Sequence, residues 1–128
     1  MQEKNYVRQY SYKKRLSRLR EIEVDLELRI ERLYSDCVGH TPRKVQCAFL
    51  NTSDLYIHLE GTHSPSESFL EKWGSSDLAR KMRRAINQIV KEKINAALES
   101  DLSVKTNNIT LLRPERPEQL NVLVNLQI

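Results

Sequence analysis

Residues 75–98, SSDLARKMRRAINQIVKEKINAAL, contain the pattern that decides the fold. Apolar side chains recur there at steps of three and four, which is the period of an amphipathic helix. They are Leu78, Met82, Ala85, Ile86, Ile89, Val90, Ile94, Ala97 and Leu98. The serines and the aspartate at the start of the stretch are typical helix N-cap residues. The stretch therefore predicts a long helix, about residues 77–99, whose apolar face is free to cover a sheet.

A β-hairpin is predicted on each side of this helix, because apolar and polar residues alternate there with a period of two. The first hairpin comprises Val45–Phe49 and Leu55–Leu59, with the turn-forming residues NTSD between them. The second comprises Val104–Leu112 and Leu120–Ile128, and an interruption at Asn107-Asn108 suggests a bulge. The two hairpins together predict a sheet of four antiparallel strands with one apolar face. The polar face is expected to be solvated, or covered by an N-terminal helix or a second subunit.

Two further helices complete the predicted order α-β-β-α-α-β-β, an α+β fold with one face of the sheet covered by helices. A long N-terminal helix from about Tyr12 to Asp36 is indicated by apolar residues at helical spacing. These residues are Leu19, Ile22, Leu26, Ile30 and Leu33. A short helix follows Ser64-Pro-Ser-Glu67, since a serine with a glutamate three residues later is a capping box.

Length and composition predict a single domain, because 128 residues suffice for one core only. We expect residues 1–14 to form a basic extension and residues 15–128 to form the α+β domain. No stretch approaches the roughly 20 apolar residues of a membrane span. The N-terminus also lacks the apolar segment of a signal peptide. These features predict a cytoplasmic protein whose Cys37 and Cys47 are reduced.

Basic residues and tyrosines are interleaved near the N-terminus. Residues 1–20 contain seven lysines and arginines against one glutamate, although the net charge of the whole chain is only +4. Cations that contact phosphates and tyrosines that stack on bases suit a nucleic-acid arm. Residues 4–20 could equally approach an anionic membrane surface or an acidic protein, or be a solvated extension. Lys13, Lys14 and Arg15 are the candidate binding residues.

Two other groups of side chains are candidate sites. Arg80, Arg83 and Arg84 lie near the start of the long helix, where cations oppose the helix dipole, so they are candidates for binding an anion or a partner. His58, Glu60 and His63 contain the residue types of a zinc or acid–base site, although a polar strand face followed by a loop histidine explains them more simply. With only three glycines, the chain lacks phosphate-binding loops, and we expect no catalytic residues, metal or cofactor.

The chain resembles the MpsC-like proteins, described as sodium-translocating, membrane-potential-generating protein C-like domains. The resemblance covers about residues 20–128 and rests on five segments. They are Gly39–Val45, Asp54–Gly61, Ser64–Glu67, Leu78–Arg84 and Val122–Ile128. It implies a small α+β domain of largely unknown biochemical function, associated with inorganic-carbon uptake and ion gradients. The resemblance implies no catalytic residue in this chain.

Three hypotheses of function remain open at this point. The first is a non-enzymatic, soluble binding or regulatory module, homodimeric and with an unknown protein partner, accessory to inorganic-carbon or ion transport. Dimerisation is expected because Val24 and Leu28 give the first helix surplus apolar surface and Leu123 adds to it on the polar face of the sheet. The second is a small nucleic-acid-binding protein that uses the basic N-terminal segment. The third is a metal-dependent enzyme centred on His58 and Glu60.

Overall fold

The computed structural model describes the backbone of residues 2–127 and the side chains of residues 18–127. Its elements are α1 (Gln2–Val38), β1 (Lys44–Phe49), β2 (Asp54–Glu60), α2 (Pro65–Lys72), α3 (Ser76–Leu102), β3 (Thr106–Leu112) and β4 (Gln119–Leu126). This order and the α+β class confirm the prediction. The first helix begins at Gln2 rather than near Tyr12, and no proline or glycine precedes Gly39 to interrupt it.

The four strands form one antiparallel sheet in the order β1-β2-β4-β3. The two hairpins join through the central strands β2 and β4, where Leu55 pairs with Val124, Ile57 with Val122, and Leu59 with Leu120. All six of these side chains are buried, which is why this register is favoured over a slip of one residue. The predicted bulge in β3 is confirmed, since the register shifts between Thr106 and Asn108.

Helices α1 and α3 both pack on the apolar face of the sheet. Leu26, Ile30 and Tyr34 of α1 and Val90, Ile94 and Leu98 of α3 belong to one buried cluster with the inward side chains of the strands. The sequence left open whether the N-terminal helix covers the polar face. The structure places α1 beside α3 instead, because the Leu26–Ile30–Tyr34 stripe is apolar.

The other face of the sheet carries the predicted polar side chains. Tyr56, His58 and Glu60 of β2 lie beside Leu123, Asn121 and Gln119 of β4 in register. These residues alternate with the core residues along each strand, so their side chains lie on the face of the sheet away from α1 and α3. Most are half-buried, but Asn121 is buried although the pattern placed it on a polar face. The imidazole of His58 covers it through a side-chain hydrogen bond.

Candidate functional site

The candidate site begins with the capping box that starts α2. Pro65 occupies the first turn, and the Ser64 hydroxyl accepts from the backbone N–H of Glu67 at 3.2 Å. The same hydroxyl donates to Glu67 Oε1 at 2.9 Å, and the Ser64 backbone N–H lies 3.3 Å from that oxygen. The predicted box is therefore present. It turns the Glu67 carboxylate inward, where the residue is only 2% exposed.

Arg83 of α3 neutralises this buried carboxylate. Its Nε donates to Glu67 Oε2 at 2.8 Å and its Nη2 donates to Glu67 Oε1 at 2.7 Å, a two-pronged geometry that only a guanidinium provides. Nη2 also donates to the backbone carbonyl of Thr62. The pair ties α2 to α3, and both oxygens of Glu67 are occupied.

The same carbonyl of Thr62 holds the end of α1. The Tyr34 hydroxyl donates to it at 3.1 Å, and His40 Nε2 lies 3.2 Å from the carbonyl of Gly61. Burial raises the pKa of the Tyr34 hydroxyl, although nearby Arg83 opposes that shift. Tyr34 is fully buried, so α1, α3 and the segment after β2 meet at one carbonyl.

A glycine makes this meeting point possible. Gly61 has a φ of +78°, and a Cβ at this position would lie 2.7 Å from the backbone nitrogen of Arg43. The backbone N–H groups of Gly61 and Thr62 both donate to the carbonyl of Glu118, at 2.8 and 3.0 Å. These two bonds bring the β3–β4 loop against the start of α2.

The result is a cleft of about 300 Å³ between α2, α3 and the β3–β4 loop. Its walls are formed by His63, Glu67, Glu71, Ala79, Arg80, Arg83, Asn87, Pro114, Pro117 and Gln119. His63 lies between two carboxylates, with Nδ1 3.6 Å from Glu67 Oε2 and Nε2 3.4 Å from Glu71 Oε2. The cleft thus combines apolar walls with a paired set of charges.

Two polar atoms of residues that line this cleft are buried without a hydrogen-bond partner among the described residues. They are Nη1 of Arg83 and Oδ1 of Asn87, which lie one helical turn apart on α3. A buried polar atom without a partner costs about 1–3 kcal/mol. Nη1 of Arg83 would be satisfied by an acceptor, and Oδ1 of Asn87 by a donor such as water.

The structure separates the three predicted arginines. Arg80 and Arg83 line the cleft, whereas Arg84 does not. Arg80 also contacts Asp77, with both side chains largely exposed. Lys13, Lys14 and Arg15 lie outside the residues whose side chains are described. Sequence reasoning identified Arg83 but missed Asn87, which carries no motif.

His58 and Glu60 lie together on the uncovered sheet face, with 3.0 Å between His58 Nε2 and Glu60 Oε1. The hydrogen bond from His58 and a second one from Arg43 hold the pKa of Glu60 below its usual range. His63 belongs to the cleft instead, so the structure does not unite the three predicted residues. Among residues 18–127 no group of three or more His, Cys, Asp or Glu side chains is arranged to hold a metal ion.

Most of the chain matches a known protein family. The profile of the family described as "Na+-translocating membrane potential-generating system (MpsC)" matches residues 18–111, which is more than half of the chain. The chain belongs to the MpsC family. The match contains the whole of α2 and α3 and ends within β3, so it stops short of the terminal strand that also carried the resemblance. Searches of curated proteins and of solved structures find no match.

This MpsC-family chain has, in its described part, no helix both long and apolar enough to cross a membrane. All the cleft residues on α2 and α3 fall within the matched segment, while Pro114, Pro117 and Gln119 follow it.

Proposed function

We propose that this MpsC-family chain is a non-enzymatic binding module of a Na⁺-translocating, membrane-potential-generating system, and that its cleft takes a carboxylate group of the ligand. The family description supports the link to such a system and is consistent with a role in ion transport. The geometry of Arg83 supports binding at the cleft. Binding rather than catalysis is favoured because Glu67, the most buried acid of the site, has both oxygens committed to other groups.

The observation that carries the proposal is the free donor atom of Arg83. A guanidinium has five N–H donors, and Nε and Nη2 are used on Glu67 and Thr62. Nη1 is buried and has no partner among the described residues. Because Glu67 fixes the plane of the guanidinium, Nη1 is held ready for an acceptor oxygen at no further cost in side-chain entropy.

The charges and the volume of the cleft limit which chemical groups of a ligand it can bind. The cleft holds Arg80 and Arg83 but also Glu67 and Glu71, so a multiply charged anion such as phosphate would meet repulsion. Ala79, Pro114 and Pro117 supply apolar walls. A volume of about 300 Å³ is at the lower end for ligand pockets. A monovalent carboxylate on a short apolar stem satisfies these conditions best.

Binding is tested by titrating the protein with sodium butyrate while ¹H–¹⁵N spectra follow the Arg83 Nε–H and the backbone of His63 and Gln119. We expect saturable shifts in the millimolar range, and weaker shifts with sodium phosphate at equal ionic strength. Pro117→Glu should abolish the butyrate shifts by placing a carboxylate at the wall. Thr52→Glu, which adds the same carboxylate at an exposed turn outside the cleft lining, should leave them intact. Absence of saturation, or binding unaffected by Pro117→Glu, would contradict the proposal.

The link to ion translocation needs a separate test in the native host. We expect affinity-tagged protein to co-purify with the subunits of a Na⁺-translocating system. A strain lacking the chain should show a reduced Na⁺-dependent membrane potential, measured with a potential-sensitive dye. An unchanged potential together with no recovered transport subunit would refute the association, whatever the butyrate titration shows.

A further inference from the structure

The two edges of the sheet differ in how their backbone groups are satisfied. On the β1 edge, the N–H groups of Cys47 and Phe49 donate to the carboxylates of Glu27 and Glu23 of α1, each at 2.8 Å. Carboxylates at this position block the pairing that a bare edge strand invites. Strand β1 is therefore closed to a further strand.

Among the described residues, the β3 edge has such a cover only at its first residue, where the backbone N–H of Thr106 donates to Glu99 Oε1 at 3.2 Å; none lies beyond the bulge. Strand β3 pairs only with β4, where Asn108, Thr110 and Leu112 lie opposite Asn125, Leu123 and Asn121. The N–H of Leu126 donates toward the β2 side and that of Gln127 toward the β3 side. Because these directions alternate along an antiparallel strand, Asn108, Thr110 and Leu112 bond to β4. The N–H and C=O groups of Ile109 and Leu111 consequently point away from the sheet.

The composition of β3 favours pairing with another strand. Its sequence, TNNITLL, contains neither a charged residue nor a proline, the features that usually protect an edge. Thr110 and Leu112 are exposed on the uncovered face, while Ile109 and Leu111 pack partly into the core. The edge is thus a regular strand of high β-propensity with unused backbone donors and acceptors.

We propose that β3 pairs antiparallel with β3 of a second copy of this chain, which joins the two sheets into one of eight strands. Antiparallel pairing about a two-fold axis through Thr110 places Ile109 opposite Leu111 of the second copy. Each of these two pairs exchanges two backbone hydrogen bonds. The register uses only the outward groups that follow the bulge, and it brings the two Thr110 residues face to face.

The charges of α3 identify a second copy as the occupant. Asn95 and Glu99 bond to Thr106, so they mark the side of α3 that faces β3. Lys81, Arg84, Gln88, Lys91 and Glu92 continue that side at helical spacing. The side is therefore basic in its first half and acidic at Glu92 and Glu99. The two-fold axis turns these sides of α3 toward each other in antiparallel orientation, so Lys81 and Arg84 of each copy approach Glu99 of the other.

The test is the oligomeric state of the full chain by sedimentation velocity over a range of concentrations. We expect a reversible dimer. Thr110→Lys should raise its dissociation constant at least tenfold, since two ammonium groups then face each other on the axis. Thr52→Lys, the same change at an exposed turn far from β3, should leave it unchanged. Arg84→Glu should weaken the dimer about threefold, because an exposed ion pair contributes little.

Crosslinking provides a readout that does not depend on affinity. In a Cys37→Ser background, Thr110→Cys should form an intermolecular disulfide under mild oxidation, whereas Thr52→Cys should not. A monomer at all concentrations, or a dimer that survives Thr110→Lys and fails to crosslink through Thr110→Cys, would overturn the proposal. Because neither Thr110 nor Thr52 lines the cleft, these results are independent of ligand binding.

Discussion

Among single residues, Arg83 compensates the buried charge of Glu67. We expect Arg83→Met to lower the free energy of unfolding by about 3–5 kcal/mol, since it leaves a buried carboxylate without a cation. Adding Glu67→Gln should recover part of that loss, because glutamine is neutral and still supports a capping box with Ser64. Urea denaturation of the single and double variants measures the difference. A double variant less stable than Arg83→Met would contradict this role.

Asp54 gives the protein a predictable acid response. Asn125 Nδ2 donates to its Oδ1 at 2.7 Å and Asn51 Nδ2 to its Oδ2 at 2.8 Å, and these bonds lower the pKa of Asp54 below its ordinary value of 3.8. The ionised form is therefore favoured in the folded state. This stabilisation is present above the ordinary pKa and is lost as pH falls through the lower folded value.

The corresponding substitution is Asp54→Asn. We expect the wild type to be the more stable protein at pH 6 and the difference in urea midpoint to shrink only as pH falls below 3.8, toward pH 2. Asp25→Asn, on an exposed face of α1, serves as the control and should show no such convergence. A constant difference between wild type and Asp54→Asn across this range would show that the carboxylate is not linked to folding.

The two cysteines should differ sharply in reactivity. Burial, together with the nearby carboxylates of Glu27 and Glu23, raises the pKa of the Cys47 thiol to about 12, whereas Cys37 is exposed. Only a thiolate reacts readily with alkylating reagents. At pH 8 we expect iodoacetamide to modify Cys37 alone, and both residues once urea unfolds the chain, as peptide mass spectrometry would record. Modification of Cys47 at the native rate of Cys37 would show that β1 opens.

At the scale of elements, two glutamates hold α1 to the edge of β1. Arg20 lies 3.3 Å from Glu23 and 3.7 Å from Glu27, which places one guanidinium beside both carboxylates. We expect Glu23→Ala/Glu27→Ala to cost about 1.5–3 kcal/mol for each lost bond to a charged group. Amide exchange should accelerate at Cys47 and Phe49. Glu21→Ala, an exposed glutamate on the same helix, should change neither quantity. Unchanged protection at both amides would disprove the contact.

The elements themselves could be predicted because their patterns are local. The capping box spans four residues, and the alternation of β4 is visible within Leu120–Leu126. The cleft could not be predicted, since its bonds join distant positions: Arg83 to Glu67 across 16 residues and Tyr34 to Thr62 across 28. Helical periodicity predicts which face of its own helix Arg83 or Glu67 occupies. Only the packing of α2 on α3 sets the distance between the two side chains.

At the scale of the whole molecule, charge is distributed unevenly along α1. Residues 1–20 carry seven basic residues against one acidic residue, and residues 21–36 carry six acidic residues against two basic ones. The acidic half contains Glu23 and Glu27, which are used within the domain. The basic half therefore remains the part of the chain best suited to an external polyanion.

This distribution predicts weak, salt-dependent binding of single-stranded nucleic acid by residues 4–20. On titration of a short oligonucleotide against salt, replacing Lys13, Lys14 and Arg15 by glutamine should lower the slope of log K against log salt by about 2, since each phosphate contact contributes about 0.7. Replacing the exposed Lys72, Lys81 and Lys105 by glutamine is the charge-matched control and should change the slope less. Deletion of residues 1–14 should remove binding while the domain stays folded. Equal effects of the two triple replacements would assign the binding to overall charge rather than to the N-terminal segment.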